Sequence, residues 1–190
     1  MSVERAKAAL RAQVRASLRA MSEAQRRGAS TAVCQCLRER VLPAARTLLF
    51  YAPLPGEVDV WPVLEQALAS GLTVALPRFD AATGRYEARV LDSAAGVVAG
   101  PFGVREPPAR CPKLEPSRAD WILVPGLAFD VQGGRLGRGK GYYDRLLLEI
   151  RGRRCGVAFE QQVLPALPGK PHDARMDALV TPARWIQPPG

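Results

Sequence analysis

The sequence predicts an α/β fold with three layers, α/β/α, and a mostly parallel central sheet in a single domain. Short apolar runs at 47–51, 72–76, 121–124 and 155–159 have the length and composition of buried strands. Segments with helical periodicity separate several of them, and strands that alternate with helices favour a parallel sheet covered on both faces. A chain of 190 residues is long enough to bury one substantial core.

The elements divide residues 1–190 into three parts of that one domain. Residues 3–42 are predicted to form two helices, and the second begins with Ser22 followed three residues later by Gln25, the pattern of a capping box. An α/β core is expected over 46–160. The segment 161–190 is rich in loop residues, with short strands expected near its end.

Local signals also set the bounds of elements inside the core. Asp59 is expected to cap a helix over 60–70, which Gly71 ends. The strand over 72–76 is expected to stop at Pro77, because proline cannot donate a ladder hydrogen bond.

Three loops are expected at the carboxyl ends of the parallel strands, over 52–58, 77–84 and 125–140. Ligands of open α/β sheets bind beyond these ends. We therefore expect a binding site where the three loops meet.

The net charge of +9 comes from 27 Lys and Arg against 18 Asp and Glu. The charge is spread along the chain and forms no block of five or six like residues, and the few aromatic residues do not interleave with a basic run. These features argue against a nucleic-acid partner. Positive charge clusters over 135–140, which favours a small anionic ligand there.

The cysteines are Cys34, Cys36, Cys111 and Cys155, and they show no metal-binding spacing with the single histidine, His172. Free, mostly buried thiols are expected. The sequence has no apolar signal core and no run of about 18 apolar residues, so we expect a cytoplasmic protein without membrane contact. We also expect a monomer.

A glycine-rich segment over 133–144 reads Gly-Gly-Arg-Leu-Gly-Arg-Gly-Lys-Gly-Tyr-Tyr-Asp and lies between a strand and a helix-like run. Glycines let backbone N–H groups approach a phosphate closely, and a helix N-terminus adds positive potential. The segment nearly matches a P-loop, but Gly141 stands where serine or threonine would bind magnesium. Asp144 is the nearest carboxylate that could hold the metal. The alternative is a flexible surface loop, which the two tyrosines and the apolar turn that follows disfavour.

Segments 125–130 and 134–144 resemble the signature of the 5-formyltetrahydrofolate cyclo-ligase family, also called methenyltetrahydrofolate synthetases. The likeness covers nearly the whole chain and includes 7–11, 51–57, 77–78, 103–107 and 171–173. The resemblance implies an ATP-dependent conversion of 5-formyltetrahydrofolate to 5,10-methenyltetrahydrofolate, with ADP and phosphate released. It further implies a phosphorylated formyl intermediate, Mg²⁺ as cofactor, ATP as co-substrate and no protein nucleophile.

The resemblance also implies roles for individual residues. Catalysis would fall to Arg138 and Lys140. Binding of ATP would involve Lys7, Arg11, Gly134, Arg135, Leu136, Gly137, Arg138, Gly139, Lys140, Gly141, Tyr142 and Tyr143. Folate would contact Glu57, Tyr51, Phe102, Arg138, Gly139 and Tyr142. The metal ligands would be Asp144 and Asp177.

The residues alone leave alternatives open. Lys7 and Arg11 lie one helical turn apart, and such a pair is more commonly part of a solvated helix face. Glu57 alone is typical of an exposed turn, and Asp177 of a turn or cap. The sequence departs from the family pattern at Lys170 and Pro182, near Asp177, where the resemblance implies acidic residues. The alternative function is a non-catalytic folate- or nucleotide-binding protein.

Overall fold

A computed structural model describes residues 3–139, 141–169 and 173–189. The α-helices are α1 (Val3–Ala20), α2 (Glu23–Arg40), α3 (Trp61–Ala69) and α4 (Tyr142–Glu149). The strands are β1 (Thr47–Leu49), β2 (Thr73–Asp80), β3 (Arg85–Val90), β4 (Val98–Ala99), β5 (Arg105–Glu106), β6 (Lys113–Leu114), β7 (Trp121–Pro125), β8 (Ala128–Asp130), β9 (Arg135–Leu136), β10 (Arg153–Val157), β11 (Val163–Leu164), β12 (Ala178–Val180) and β13 (Trp185–Ile186).

The main sheet has the strand order β13-β12-β10-β7-β1-β2-β3-β6. Strands β12, β10, β7, β1 and β2 run parallel to one another, and antiparallel strands flank them on both sides. The mostly parallel α/β sheet expected from the sequence is therefore confirmed. Because parallel strands end at the same edge, the chain leaves β1, β2 and β7 on one side of the molecule.

Helices cover both faces of this sheet. On one face, α2 and α3 pack on the strands through Val33, Leu37 and Leu64. On the other face, α4 packs through Leu146 and Leu147. Helix α1 instead packs on the small sheet β11-β8-β9, where Val14 contacts Ala128 and Leu136. This second sheet holds α1 against the segment that joins β7 to α4.

The helix signals read from the sequence are present in the structure. The Ser22 hydroxyl accepts a hydrogen bond from the Gln25 amide at 3.2 Å, and the Gln25 side chain accepts one from the Ser22 amide at 2.7 Å. Asp59 accepts from the Trp61 amide at 3.0 Å at the start of α3. Gly71 follows α3 with a φ of +76°, as a terminating glycine does.

The cysteines are free thiols, as expected, and Cys34, Cys111 and Cys155 are buried. Burial raises the pKa of Cys34 to about 11, so this thiol stays protonated at neutral pH. Within the described ranges, none of the helices is long and apolar enough to cross a membrane.

The expected end of the second strand at Pro77 is wrong, because β2 continues to Asp80. Strand β1 pairs with β2 only as far as Ala75, so the side of Pro77 that lacks an N–H group faces no partner strand. Two residues later on the same side, the Phe79 amide donates to the buried Glu106 carboxylate at 3.2 Å. A distant side chain thus replaces the missing strand.

The expectation of a continuous loop over 125–140 is also wrong, because strands β8 and β9 form a hairpin there. The buried Asp130 carboxylate stabilises the hairpin turn by accepting from the Gln132 amide at 3.0 Å and the Gly134 amide at 2.8 Å. The hairpin places Arg135 and Leu136 of the glycine-rich segment in a strand.

Close packing around β10 gives a stability prediction. A methyl group added at Gly156 would lie 2.7 Å from the Phe129 ring and 3.1 Å from the Leu179 side chain. We expect Gly156→Ala to lower the free energy of unfolding by about 1–3 kcal/mol, because the buried core cannot absorb the extra carbon.

The matched control is Gly28→Ala on the exposed surface of α2, where an added carbon would meet nothing within 4 Å. We expect this variant to gain up to about 1 kcal/mol from helix propensity. Urea denaturation measures both. Equal stability of Gly156→Ala and the unmodified protein would contradict the packing described here.

Candidate functional site

A cavity of about 350 Å³ opens at the carboxyl edge of the parallel strands. The loop after β1 contributes Ala52, Leu54 and Glu57 to its wall. Pro77 of β2 and Pro125 of β7 line it as well. The three regions expected to meet at this edge therefore do meet, and a volume of this size is typical of small-molecule sites.

The glycine-rich segment forms another wall of the cavity, through Gly137, Arg138, Gly139 and Gly141. Gly139 and Gly141 have φ values of +103° and +68°, in the left-handed region that favours glycine. Gly141 immediately precedes α4, so the N-terminus of this helix lies at the cavity. Free backbone N–H groups and the helix dipole make such a position suitable for an anion.

Arg135 has a structural role that the sequence analysis did not anticipate. Its side chain is only 7% exposed, its Nη1 lies 2.7 Å from Asp144 Oδ1, and its Nε donates to the Pro125 carbonyl at 2.9 Å. The guanidinium also lies 5.6 Å from the centre of the Tyr143 ring. Arg135 therefore joins the end of β7 to the start of α4, and it also lines the cavity, so its expected contact with ATP stays a prediction.

Arg138 and Glu57 form an ion pair across the cavity. Arg138 Nη2 lies 2.7 Å and Nε 3.2 Å from Glu57 Oε1. The other carboxylate oxygen of Glu57 accepts from the Leu54 amide at 2.9 Å. The side chain of Glu57 is 10% exposed and that of Arg138 is 45% exposed. The structure thus brings the expected phosphate-binding and folate-binding side chains into direct contact.

The basic face of α1 lies against the glycine-rich segment. Arg11 Nε donates to the Gly137 carbonyl at 3.0 Å, and Lys7 Nζ lies 3.4 Å from Asp173 Oδ2. Arg11 therefore contacts the loop, and both cations have protein partners and are not on a fully solvated face. Arg15, one turn further along the helix, lines the cavity and was missed. The i, i+4 spacing from Lys7 through Arg11 was the available signal.

Tyr51 supports a turn, whereas Tyr143 and Tyr86 line the cavity. Tyr51 is buried and its hydroxyl donates to the Val58 carbonyl at 2.8 Å, so it supports the turn that carries Glu57 and does not line the cavity. Its expected contact with folate stays a prediction. Tyr143 lines the cavity, and burial followed by the charge of Glu57 raises the pKa of its phenol well above the ordinary value. Tyr86, which the sequence analysis missed, lines the cavity with its ring centre 6.0 Å from that of Tyr143.

Two further residues of the expected ATP loop serve the hairpin. An added carbon at Gly134 would lie 2.5 Å from the Asp130 carboxylate, so glycine is needed for the turn. Leu136 is buried against α1. Neither residue lines the cavity, and their expected contacts with ATP stay predictions.

The expected metal ligands lie in different places. Asp177 accepts from the Arg154 amide at 2.7 Å, near the start of β10. Arg154, the partner of Asp177, lies beside Ile122 of β7. Arg135, the partner of Asp144, contacts the carbonyl of Pro125, which is three residues, or about 10 Å, further along the same strand. The structure does not bring Asp177 to Asp144, because Asp177 lies towards the opposite edge of the sheet.

Asp144 alone fits part of a magnesium site. Its side chain is 66% exposed at the cavity and contacts Arg135 through one carboxylate oxygen. The described part of the chain holds no group of three or more His, Cys, Asp or Glu side chains arranged for a metal. Magnesium often takes only one or two protein carboxylates when phosphate oxygens supply the remaining ligands. A metal brought in with a nucleotide matches this donor set.

Several expected residues fall outside the description. Lys140, Lys170 and His172 lie outside the described residues, as do the side chains of Phe102 and Tyr142. Next to the turn at Pro101–Gly103, Val104 lines the cavity.

Comparison with known proteins identifies the family. A family model described as the 5-formyltetrahydrofolate cyclo-ligase family matches residues 3–182. The chain is 36% identical over 194 residues to the 5-formyltetrahydrofolate cyclo-ligase of Mycolicibacterium smegmatis, covering 96% of each chain. It is 30% identical to the Escherichia coli protein of that name, covering 74% of this chain and 80% of the relative.

Among solved structures, the fold is similar to the 5,10-methenyltetrahydrofolate synthetase of Aquifex aeolicus. The TM-score is 0.86 at 35% identity, and the match covers 95% of this chain and 92% of the other. With the family model spanning nearly the whole sequence, this likeness confirms the resemblance seen in the glycine-rich segment. The chain belongs to the 5-formyltetrahydrofolate cyclo-ligase family and is, by that membership, a ligase.

Proposed function

We propose that the protein converts 5-formyltetrahydrofolate to 5,10-methenyltetrahydrofolate in an ATP-dependent reaction that releases ADP and phosphate. The observation that carries the proposal is the 2.7 Å contact between Arg138 and Glu57. On one side of this contact is a glycine-rich segment at a helix N-terminus, which is suited to an anion. On the other side is a nearly buried carboxylate, which is suited to the adjacent N–H donors of a pterin ring. Relatives named for this activity support the same assignment.

The chemistry requires activation of a poor leaving group. The N5-formyl oxygen attacks the γ-phosphorus, and the bond from that phosphorus to the bridging oxygen breaks as ADP leaves. The resulting imidate phosphate is attacked at the formyl carbon by N10 of the same folate. The carbon–oxygen bond then breaks, phosphate departs with the former formyl oxygen, and N10 loses its proton to phosphate or solvent. The enzyme must align the reactants and stabilise the phosphoryl charge.

The residues of the cavity match these tasks. The backbone around Gly139 and Gly141 would hold the phosphates, and Arg138 would stabilise the transferring phosphoryl group. Lys140 is the second cation that the sequence resemblance assigns to this step. Tyr143 keeps its proton and so can act only as a neutral hydrogen-bond donor beside the reacting groups. Asp144 would hold Mg²⁺, which when bound offsets phosphate charge.

The Arg138–Glu57 pair must open for this mechanism to operate. Both Nη2 and Nε of Arg138 contact Glu57, so these groups do not face a phosphate. Pterin N–H donors would compete for the same carboxylate and release the guanidinium. Folate binding would therefore favour nucleotide binding, and by thermodynamic linkage the reverse would also hold.

The function is tested by following methenyltetrahydrofolate through its near-ultraviolet absorbance. Product is expected when the protein, 5-formyltetrahydrofolate, ATP and Mg²⁺ are combined, and none when ATP is omitted. With ¹⁸O in the formyl group, the label is expected in the released phosphate. Binding of both ligands without product would instead support the non-catalytic alternative.

The cytoplasmic location and the monomeric state stay predictions.

The same assay tests Arg138 with a matched control. We expect Arg138→Ala to lower kcat by about 10²–10³-fold, the usual cost of removing one transition-state contact. Arg184 is 46% exposed, forms a 2.7 Å ion pair with Glu160 and does not line the cavity. Arg184→Ala should keep near-normal turnover. Similar losses in both variants would remove Arg138 from its role.

Coupling through the ion pair is tested by calorimetry with a non-hydrolysable ATP analogue. Saturating 5-formyltetrahydrofolate is expected to tighten analogue binding by about fivefold or more, within the range of known coupling energies. Glu57→Gln removes the charge that holds Arg138. This variant should bind the analogue more tightly without folate and show almost no further gain with it. An undiminished folate effect in Glu57→Gln would contradict the coupling.

The magnesium requirement distinguishes the two aspartates. Asp144→Asn keeps an acceptor for Arg135 but loses the charge, and it should raise the Mg²⁺ concentration for half-maximal turnover by about tenfold. Asp177→Asn keeps an acceptor for the Arg154 amide and should leave that concentration unchanged. Titration of turnover against Mg²⁺ measures both. Equal shifts would mean that Asp177 joins the metal site after all.

A further inference from the structure

Arg15 differs from the other cations of the cavity. Arg135 is paired with Asp144 and Arg138 with Glu57. Arg15 lines the same cavity, is exposed, and has no hydrogen-bond or ion-pair partner among residues 3–139, 141–169 and 173–189. Its positive charge is therefore available to a ligand without the loss of an existing contact.

Arg15 lies one helical turn beyond Arg11 along α1. Arg11 donates to the Gly137 carbonyl and so contacts the glycine-rich segment, and Lys7 lies one turn earlier, beside Asp173. Arg15 is about 6 Å from Arg11 along the helix axis. The next turn leads to Leu18, whose carbonyl accepts from Arg26 of α2 at 2.6 Å. Arg15 therefore lies between the contact of Arg11 with the loop and the contact of α1 with α2.

The substrate of the proposed function, on which this step rests, carries anionic groups that Arg15 could bind. With the pterin at Glu57 and the formyl group beside Arg138, the aminobenzoyl group and its glutamate extend away from the reacting atoms. The glutamate carries two carboxylates at neutral pH. A guanidinium matches a carboxylate with two parallel hydrogen bonds.

We propose that Arg15 binds a carboxylate of the glutamate tail of 5-formyltetrahydrofolate. The contact selects substrates that carry the tail, and it does not act on the reacting atoms. The nucleotide phosphates have their own partners in the glycine-rich backbone, the N-terminus of α4 and Arg138. The carboxylates of the tail have no other unpaired cation among the described residues of the cavity wall.

The test compares two substrates in steady-state kinetics. One is 5-formyltetrahydrofolate, and the other is the analogue in which a methylamide replaces the glutamate, which keeps the formyl group and N10 but has no carboxylate. Arg15→Ala is expected to lower kcat/KM for the natural substrate by about five- to tenfold, mainly through KM, the range for a charge-assisted hydrogen bond at a partly exposed site. For the methylamide, kcat/KM should be the same in both proteins.

Two further variants separate recognition from a general effect of charge. Arg19 is exposed on the next turn of α1 and does not line the cavity, so Arg19→Ala should match the unmodified protein with both substrates. Arg15→Lys keeps the charge and should recover part of the loss. Alanine favours helix, so α1 should remain folded in both alanine variants.

The outcomes are distinct. An equal loss with both substrates, or a rise in KM for ATP and not for folate, would overturn the role of Arg15 and leave the proposed function intact. Absence of turnover in the unmodified protein would overturn the proposed function itself, and the role of Arg15 with it.

Discussion

The buried guanidinium of Arg135 determines how the site is assembled. Burial of a charge is unfavourable unless it is paired and hydrogen-bonded, and Arg135 meets this condition through Asp144 and the Pro125 carbonyl. These contacts join the end of β7 to the first turn of α4. The glycine-rich segment between them is therefore held at both ends, so that its backbone amides and Arg138 stay at the cavity. The contact also orients Asp144, the carboxylate suited to magnesium.

Features set by local sequence could be predicted, and features set by distant partners could not. The capping box at Ser22 and the helix start at Asp59 depend on residues within one turn, and both are present in the structure. The extension of β2 through Pro77 depends on Glu106, which is distant in sequence, replacing a strand that has ended. The β8–β9 hairpin likewise has a distant partner, because the Asp130 carboxylate that holds its turn also accepts from the Leu167 amide at 2.9 Å.

The site shows why a motif locates function more accurately than it assigns roles. Sequence resemblance placed the glycine-rich segment and Glu57 together, and they do share a cavity. Within that segment, however, Gly134 and Leu136 serve the fold, whereas Gly139 and Arg138 face the cavity. A position in the motif can require a particular residue because of the fold or because of ligand binding. The spacing of the motif does not distinguish these two causes. Arg15 lies outside the motif, and only the packing of α1 on the second sheet brings it to the cavity.

The charges of the cavity also suggest an order in which they act. Glu57 neutralises Arg138 and Asp144 neutralises Arg135, which avoids unpaired charge in a partly buried space. Arg15 is exposed and needs no such partner, because water solvates it. An unpaired surface cation attracts an anionic substrate before contact, whereas a paired one acts only after its partner is taken. Arg15 would therefore contribute to the encounter with folate, and Arg138 would become free only when the pterin has reached Glu57. Phosphoryl transfer would then be restricted to the complex that already holds its acceptor, which limits the loss of ATP to water.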